Sequence, residues 1–179
     1  MTTPEDEQLT TTEELLAVAA STPLDVLEQR FGRAVLLGVP TADDDDHWSF
    51  QTRAVTGGRG IVQELRPLAR SGVVHPVRKA TKGPFADTVL VGRARSNDIC
   101  IPSAGLSKLH ARIKLEADGS FVISDSGSKN GTSVNGRVLR PNEQATLADG
   151  DELRFGSAAY RFYLTKRLHR EANAAKPHR

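Results

Sequence analysis

The chain has 179 residues, a net charge of +2, 38% apolar and 26% charged side chains, which gives room for one domain with a substantial extension. No run approaches the roughly eighteen consecutive apolar residues of a membrane-spanning helix, and the single Cys100 supports neither an intramolecular disulfide nor a cysteine metal cluster. The acidic start MTTPEDEQLTTTEELL lacks a positive region followed by an apolar one, so no secretory signal is read and a reduced, cytoplasmic setting is expected. Charge is unevenly divided. Residues 1–70 carry 12 acidic and 6 basic side chains, whereas residues 71–179 carry 10 and 18, so the C-terminal part is the one equipped to attract an anionic partner.

In chain order, residues 1–11 read as a disordered acidic tail with no apolar periodicity. From Thr12 to Ala20 apolar residues recur at helical spacing behind a Thr-x-Glu start, which predicts a short helix. Ser21-Thr22-Pro23 then caps a second helix with proline in its first turn; Leu24, Leu27 and Phe31 share a face, and Gly32 stops it. Ala34 to Val39 and His47 to Val55 read as strands around a loop holding Asp43 to Asp46. That acidic run lacks the alternating ligands and bend glycine of a calcium loop, so it reads as solvated. Gly57-Gly58-Arg59-Gly60 lacks the Gly-Lys-Ser/Thr ending of a phosphate cradle and reads as a turn. Residues 12–70 thus form an N-terminal α+β extension, either packed on the main domain or separate from it.

From about Ser71 the pattern changes. Val73 to Arg78 predicts a first strand, with Pro76 placing it at an edge or a bulge, and Lys82-Gly83-Pro84 a turn. Short apolar runs follow at Ala86 to Val91, Ile99 to Ile101, Ala111 to Leu115, Phe121 to Ile123, Val138-Leu139, Ala145 to Leu147, Glu152 to Phe155 and Tyr160 to Leu164. Gly, Asn and Asp lie between them, the signature of a β-sandwich of antiparallel strands over residues 71–165. The basic tail from Lys166 to Arg179 is poor in large apolar residues and reads as frayed.

Three polar clusters punctuate these runs: Gly92-Arg93, Ser107-Lys108-Leu109-His110, and Ser128-Lys129-Asn130-Gly131-Thr132. In a sandwich, alternate connections emerge at the same end, which would let the three converge. Together they offer a guanidinium, ammonium groups, a hydroxyl and an amide, a donor set suited to an anion. With Asp98-Ile99, Asn135-Gly136 and Gly150-Asp151 in the same order, the pattern resembles the forkhead-associated (FHA) family over about the last 95 residues short of the extreme C-terminus. Members of that family bind phosphothreonine peptides.

The resemblance implies an FHA-type sandwich, a phosphothreonine-containing protein or peptide as partner, a Ser/Thr kinase or its substrate among the candidates, and no cofactor. It implies that Arg93 is the main phosphate ligand, that Ser107 donates its hydroxyl, that Lys108 adds a point charge, and that Asn130 holds the peptide backbone. Lys129 departs from the small hydroxyl residue found before this Asn in some members, and is assigned to the phosphate or to an acidic peptide side chain. Gly92, His110 and Gly131 are assigned to the scaffold beneath, Gly131 because it suits a positive φ. The alternatives are a phospho-independent scaffold on the same fold and a basic nucleic-acid-binding domain; aromatic content of 5% is low for a base-stacking platform. A hydrolase built from Ser107, His110 and Asp125 is disfavoured, as no nucleophile elbow is present. Neither a membrane nor a metal is expected as partner. Thr10, Thr11 and Thr12 beside Glu13 and Glu14 read as an exposed candidate phosphorylation site able to dock in cis, or, more plainly, as a helix-capping tail.

Overall fold

Strand β1 (Ala34–Val39) reads AVLLGV, a continuous apolar run rather than an alternating one, as suits a strand covered on both faces. Its residues divide accordingly. Ala34 and Leu36 belong to the core between two sheets, Val35 and Leu37 to a second core on the outer face of one of them. The computed structural model in which this is seen describes residues 11–39, 65, 73–80 and 85–174. The acidic tail before Thr11, the Asp43–Asp46 loop, the strand expected over His47 to Val55, the glycine turn at Gly57 to Gly60 and the turn at Lys82-Gly83-Pro84 fall outside those residues.

The remaining strands are β2 (Val74–Pro76), β3 (Thr88–Gly92), β4 (Ile99–Cys100), β5 (Ala111–Leu115), β6 (Phe121–Asp125), β7 (Thr132–Val134), β8 (Arg137–Val138), β9 (Gln144–Leu147), β10 (Glu152–Phe155) and β11 (Ala158–Leu164). They form a six-stranded sheet in the order β2-β1-β11-β10-β7-β8 and a five-stranded sheet in the order β4-β3-β5-β6-β9. Among the described residues all pairs of these strands are antiparallel but one: β4, two residues long, runs parallel to β3 because the intervening loop carries the chain back instead of reversing it in a hairpin. Pro76 lies on the edge strand β2, as its missing N–H requires. Asn135 and Gly136, with φ of 50° and 80°, make the turn between β7 and β8. Between the sheets Phe121 meets Phe162 edge-on at 5.3 Å, and Phe155 lies 5.8 Å from Tyr160. Full burial of such side chains stabilises by about 1.5–3 kcal/mol each.

Among the described residues, the helices α1 (Thr12–Ser21), α2 (Leu24–Phe31) and α3 (Thr165–Ala174) lie on the outer face of the six-stranded sheet, and Leu65 is buried in the same core. Thr11 caps α1 in a capping box with Glu14, each side chain bonding the other's backbone N–H. The expected cap of α2 differs. Pro23 is itself the N-cap and makes no side-chain bond, while the Ser21 hydroxyl is engaged by the carbonyls of Ala17 and Val18 at the end of α1. Gly32 ends α2 at φ 77°, and a Cβ there would lie 2.6 Å from the Val77 carbonyl oxygen.

Two expectations about extent are corrected. The tail expected to fray forms α3 over Thr165–Ala174: Thr165 donates to the Gly32 carbonyl at 2.7 Å, Leu168 and Ala172 are buried, and Arg167 bonds Asp149 and Glu171 at 2.7 and 2.9 Å. Residues 175–179 lie outside the described residues. Of the two alternatives for the N-terminal segment, packing on the main domain is the one seen, and it goes further than packing: β1 pairs with β11 along its whole length and with β2 on its other side, so the boundary expected near residue 71 does not separate two units. No helix among the described residues is long and apolar enough to cross a membrane.

Candidate functional site

The register of the sheets decides which connections meet. In the five-stranded sheet Val91 lies opposite Ala111, and Ala111 opposite Asp125. In the other, Phe155 lies opposite both Thr132 and Ala158. The connections leaving β3, entering β5, leaving β6 and entering β7, with the β10–β11 turn, therefore emerge at one end of the sandwich. All three polar clusters read from the sequence lie in them.

Each connection rests on a buried polar side chain. Beneath the β3–β4 loop, the Asn97 amide donates to the carbonyls of Ala94 at 2.9 Å and Lys108 at 2.6 Å. Beneath the β4–β5 loop, fully buried His110 accepts from the Ser107 N–H at Nδ1 (3.1 Å), and its Nε2 lies 3.0 Å from the Gly131 carbonyl. Those two bonds together call for a neutral ring with its proton on Nε2. The same ring stands edge-on to Phe155 at 5.8 Å, which ties it to the core. Beneath the β6–β7 loop, the Asp125 carboxylate accepts from the N–H groups of Gly127 and Ser128 and from the hydroxyls of Ser128 (2.6 Å) and Thr132 (2.7 Å). Burial alone would raise its pKa, but the bonds from Ser128, Thr132 and Gly127 outweigh it and hold the carboxyl below its usual value. Asp98 behaves alike: burial opposes the charge, and the Leu90 N–H, Lys79 and the Ala80 N–H prevail, keeping its pKa low and fastening β4 to the strands before it.

The loops are also bonded to one another. Arg93 and Ala94 N–H donate to the carbonyls of Ser107 (2.9 Å) and Lys108 (3.1 Å). Lys129 N–H donates to the Ser107 hydroxyl oxygen at 3.0 Å, and the Asn130 amide to the Gly105 carbonyl at 2.8 Å. Gly92 is required for this closeness, since a Cβ on it would lie 2.5 Å from the Lys108 carbonyl oxygen and 3.0 Å from the His110 nitrogen. Gly131, at φ 78°, accommodates a backbone that other residues rarely adopt. Above this frame Arg93, Lys108, Lys129 and Asn130 are exposed and Ser107 half-buried. Among the described residues none of the three cations makes an ion pair. A cavity of about 550 Å³ opens elsewhere, beside α2, lined by Glu28, Arg33, Arg78, Leu115 and Phe121 among others; none of the three loops contributes to it.

A match to the FHA domain model covers residues 89–156, the stretch holding all three loops. The chain contains an FHA domain. It is 40% identical over 101 residues to an FHA domain-containing protein of Arabidopsis thaliana, an alignment covering 50% of this chain and 26% of the plant protein. It is 41% identical over 111 residues to the glycogen accumulation regulator GarA of Mycolicibacterium smegmatis, covering 58% of this chain and 66% of GarA. Among solved structures it resembles Mycobacterium tuberculosis EmbR in complex with a low affinity phosphopeptide, with 34% identity, a TM-score of 0.40, and coverage of 44% of this chain and 20% of that one. The chain thus spans about a quarter of the plant relative's length and just under two thirds of GarA's.

The FHA frame brings together Arg93, Ser107, Lys108, Lys129 and Asn130, with Gly92, His110 and Gly131 beneath them. The N-terminal threonines are a separate matter. Thr12 is fully buried in α1, against the exposed position expected from sequence, whereas half-buried Thr11 is the N-cap of α1, as the helix-capping alternative has it; Thr10 falls outside the described residues. The catalytic arrangement of Ser107, His110 and Asp125 is not assembled: His110 meets the backbone of Ser107, not its hydroxyl, and Asp125 faces Ser128 and Thr132. Sequence reasoning missed Asn97, Gly105 and Gly156. Asn97 had a signal, a lone amide just before Asp98-Ile99. The glycines had none: a Cβ on Gly156 would lie 2.7 Å from the Gly105 carbonyl and 3.3 Å from Asn130 Cβ, an approach visible only in three dimensions.

Proposed function

We propose that the chain is a phosphothreonine-dependent binding module, an adaptor in Ser/Thr kinase signalling that works in the cytoplasm and performs no chemistry of its own. The observation that carries this reading is the hydrogen-bonded frame of three loops, which presents a guanidinium, a hydroxyl and an amide together at one end of the sandwich. A phosphothreonine brings about −1.5 to −2 charge and three strong acceptor oxygens. Arg93 supplies a planar fork for two of them and stays charged throughout the physiological range. The Ser107 oxygen already accepts from Lys129 N–H, which leaves its proton for the phosphate. Lys108 adds a point charge. The Asn130 amide nitrogen is engaged by Gly105, which leaves its oxygen to accept an N–H of the bound peptide. Both ring nitrogens of His110 face backbone groups, which supports a bracing role over a catalytic one.

Isothermal titration with a threonine peptide, its phosphothreonine form and its phosphoserine form tests the reading. The phosphothreonine peptide binds, and Arg93→Ala removes most of the affinity, because truncating one partner of a desolvated charge pair costs roughly 2–5 kcal/mol. Equal binding of phosphorylated and unphosphorylated peptides overturns it and leaves a phospho-independent scaffold.

A further inference from the structure

Phe85 is the most exposed of the large apolar side chains described, at 77%, and its φ of 65° is one that a bulky residue rarely adopts. Its carbonyl accepts from the Thr88 N–H at 3.0 Å, so a turn fixes the residue and carries its ring outward. Strained backbone and an aromatic ring in water both cost free energy, and no ring contact offsets them here. A single exposed apolar residue is ordinary. What marks this one is the surface beside it.

Ala86 and Asp87, the next two residues, line the cavity of about 550 Å³ beside α2, whereas Phe85 does not. The floor is apolar, formed by Val77, Val89, Ile113, Leu115 and Phe121, and the size is that of pockets that bury apolar ligand groups. An apolar knob thus stands at the edge of an apolar hollow that it does not enter. Charge on the rim is mixed: Asp25 and Glu28 on α2, Arg33 just before β1 and Arg78 after β2 make no ion pair among the described residues. A surface holding knob, hollow and both signs of charge side by side can match a copy of itself turned through a two-fold axis. Each ring then enters the other chain's hollow, and carboxylates of one rim can face guanidinia of the other. A foreign partner would use the hollow alone; a second copy also accounts for the ring.

We propose that this end of the sandwich is a self-association surface, its occupant a second copy of the chain that exchanges Phe85 reciprocally into the cavity. The hollow lies where β3 and β6 begin and β5 ends, opposite the three loops. Both sites proposed for phosphothreonine therefore stay open, and the dimer presents two of them.

Sedimentation velocity of the full, unphosphorylated chain across the micromolar to millimolar range tests this. Wild type passes from monomer to dimer. Phe85→Gly, which relaxes the positive φ as it removes the ring, moves that transition to a concentration roughly thirtyfold higher or more, the effect of losing an aromatic anchor. Ala86→Arg, which sets a long charged side chain at the exposed mouth of the hollow, also weakens the dimer. Val138→Ser, which removes an exposed apolar side chain next to Gly131 at the loop end, leaves it unchanged. A chain monomeric throughout, a dimer that survives Phe85→Gly, or one weakened equally by Val138→Ser overturns the proposal. Wild type that dimerises without separating phosphorylated from unphosphorylated peptide sinks the phosphothreonine reading and leaves this one standing.

Discussion

Asp125 is 2% exposed and still charged, because two hydroxyls and two N–H groups converge on it. A group whose folded pKa is depressed contributes stability that is present above its unfolded value, here 3.8, and is lost as pH falls below it. Asp125→Asn turns an acceptor into a donor facing donors, and each charge-assisted bond lost costs about 1.5–3 kcal/mol. Urea unfolding from pH 3 to 7 should show the variant less stable at neutral pH, with the gap to wild type narrowing below about pH 4. A gap that stays constant with pH would mean the carboxylate's charge plays no part. At this scale the sequence was informative about groups that point outward and about those with special backbone needs. Arg93, Ser107, Lys108 and Asn130 stood out as the donor set now proposed for the phosphate and peptide, and Gly131 was legible as a positive-φ position. The supports were less so. Asp125 was noticed only as a candidate triad member, and its bonds to Ser128 and Thr132 depend on how the β6–β7 loop folds back on itself, which no local pattern encodes.

Among elements, most short strands of the sandwich were legible because they are apolar runs bounded by turn residues; β7 was not, since it reads Thr-Ser-Val and its Thr132 was counted in the third polar cluster. The helix after β11 was not. Its buried stripe consists of Thr165, Leu168 and Ala172, only one of them large, on an otherwise basic segment. Tertiary partners supply what the pattern lacks: the Gly32 carbonyl, Asp149, and the Tyr163 ring, which the Arg167 guanidinium overlies at 5.8 Å. Leu168 is nonetheless fully buried between α1, α2 and the sheet, so Leu168→Ala should destabilise the fold by about 2–5 kcal/mol. The loops proposed to bind phosphopeptide belong to other elements and rest on Asn97, His110 and Asp125, so phosphopeptide affinity measured below the melting transition should stay at the wild-type value. Loss of affinity in a folded Leu168→Ala protein would reveal coupling between the helical layer and the loops.

Taken whole, the molecule has three layers, and the middle one depends on a strand contributed from before the stretch that carries every FHA motif. β1 sits between β2 and β11, yet more than a hundred residues separate it from β11. Pattern reading identified the strand and placed the domain boundary after it, because pairing across such a distance leaves no trace in local periodicity. The energetics argue against that boundary. Val35, Leu36 and Leu37 are fully buried, and their burial stabilises by roughly 5–9 kcal/mol together, which is comparable with the whole stability of a typical domain, about 5–15 kcal/mol. Deleting them would also open two strand edges and bare the apolar face around Tyr163, both of which favour association between chains. A fragment of residues 71–179 should therefore be unfolded or self-associated in light scattering and urea titration, while residues 11–179 unfold cooperatively. If the shorter fragment instead melts as a monomer with the full chain's free energy, the sandwich does not need β1, and the layer built on it is an accessory.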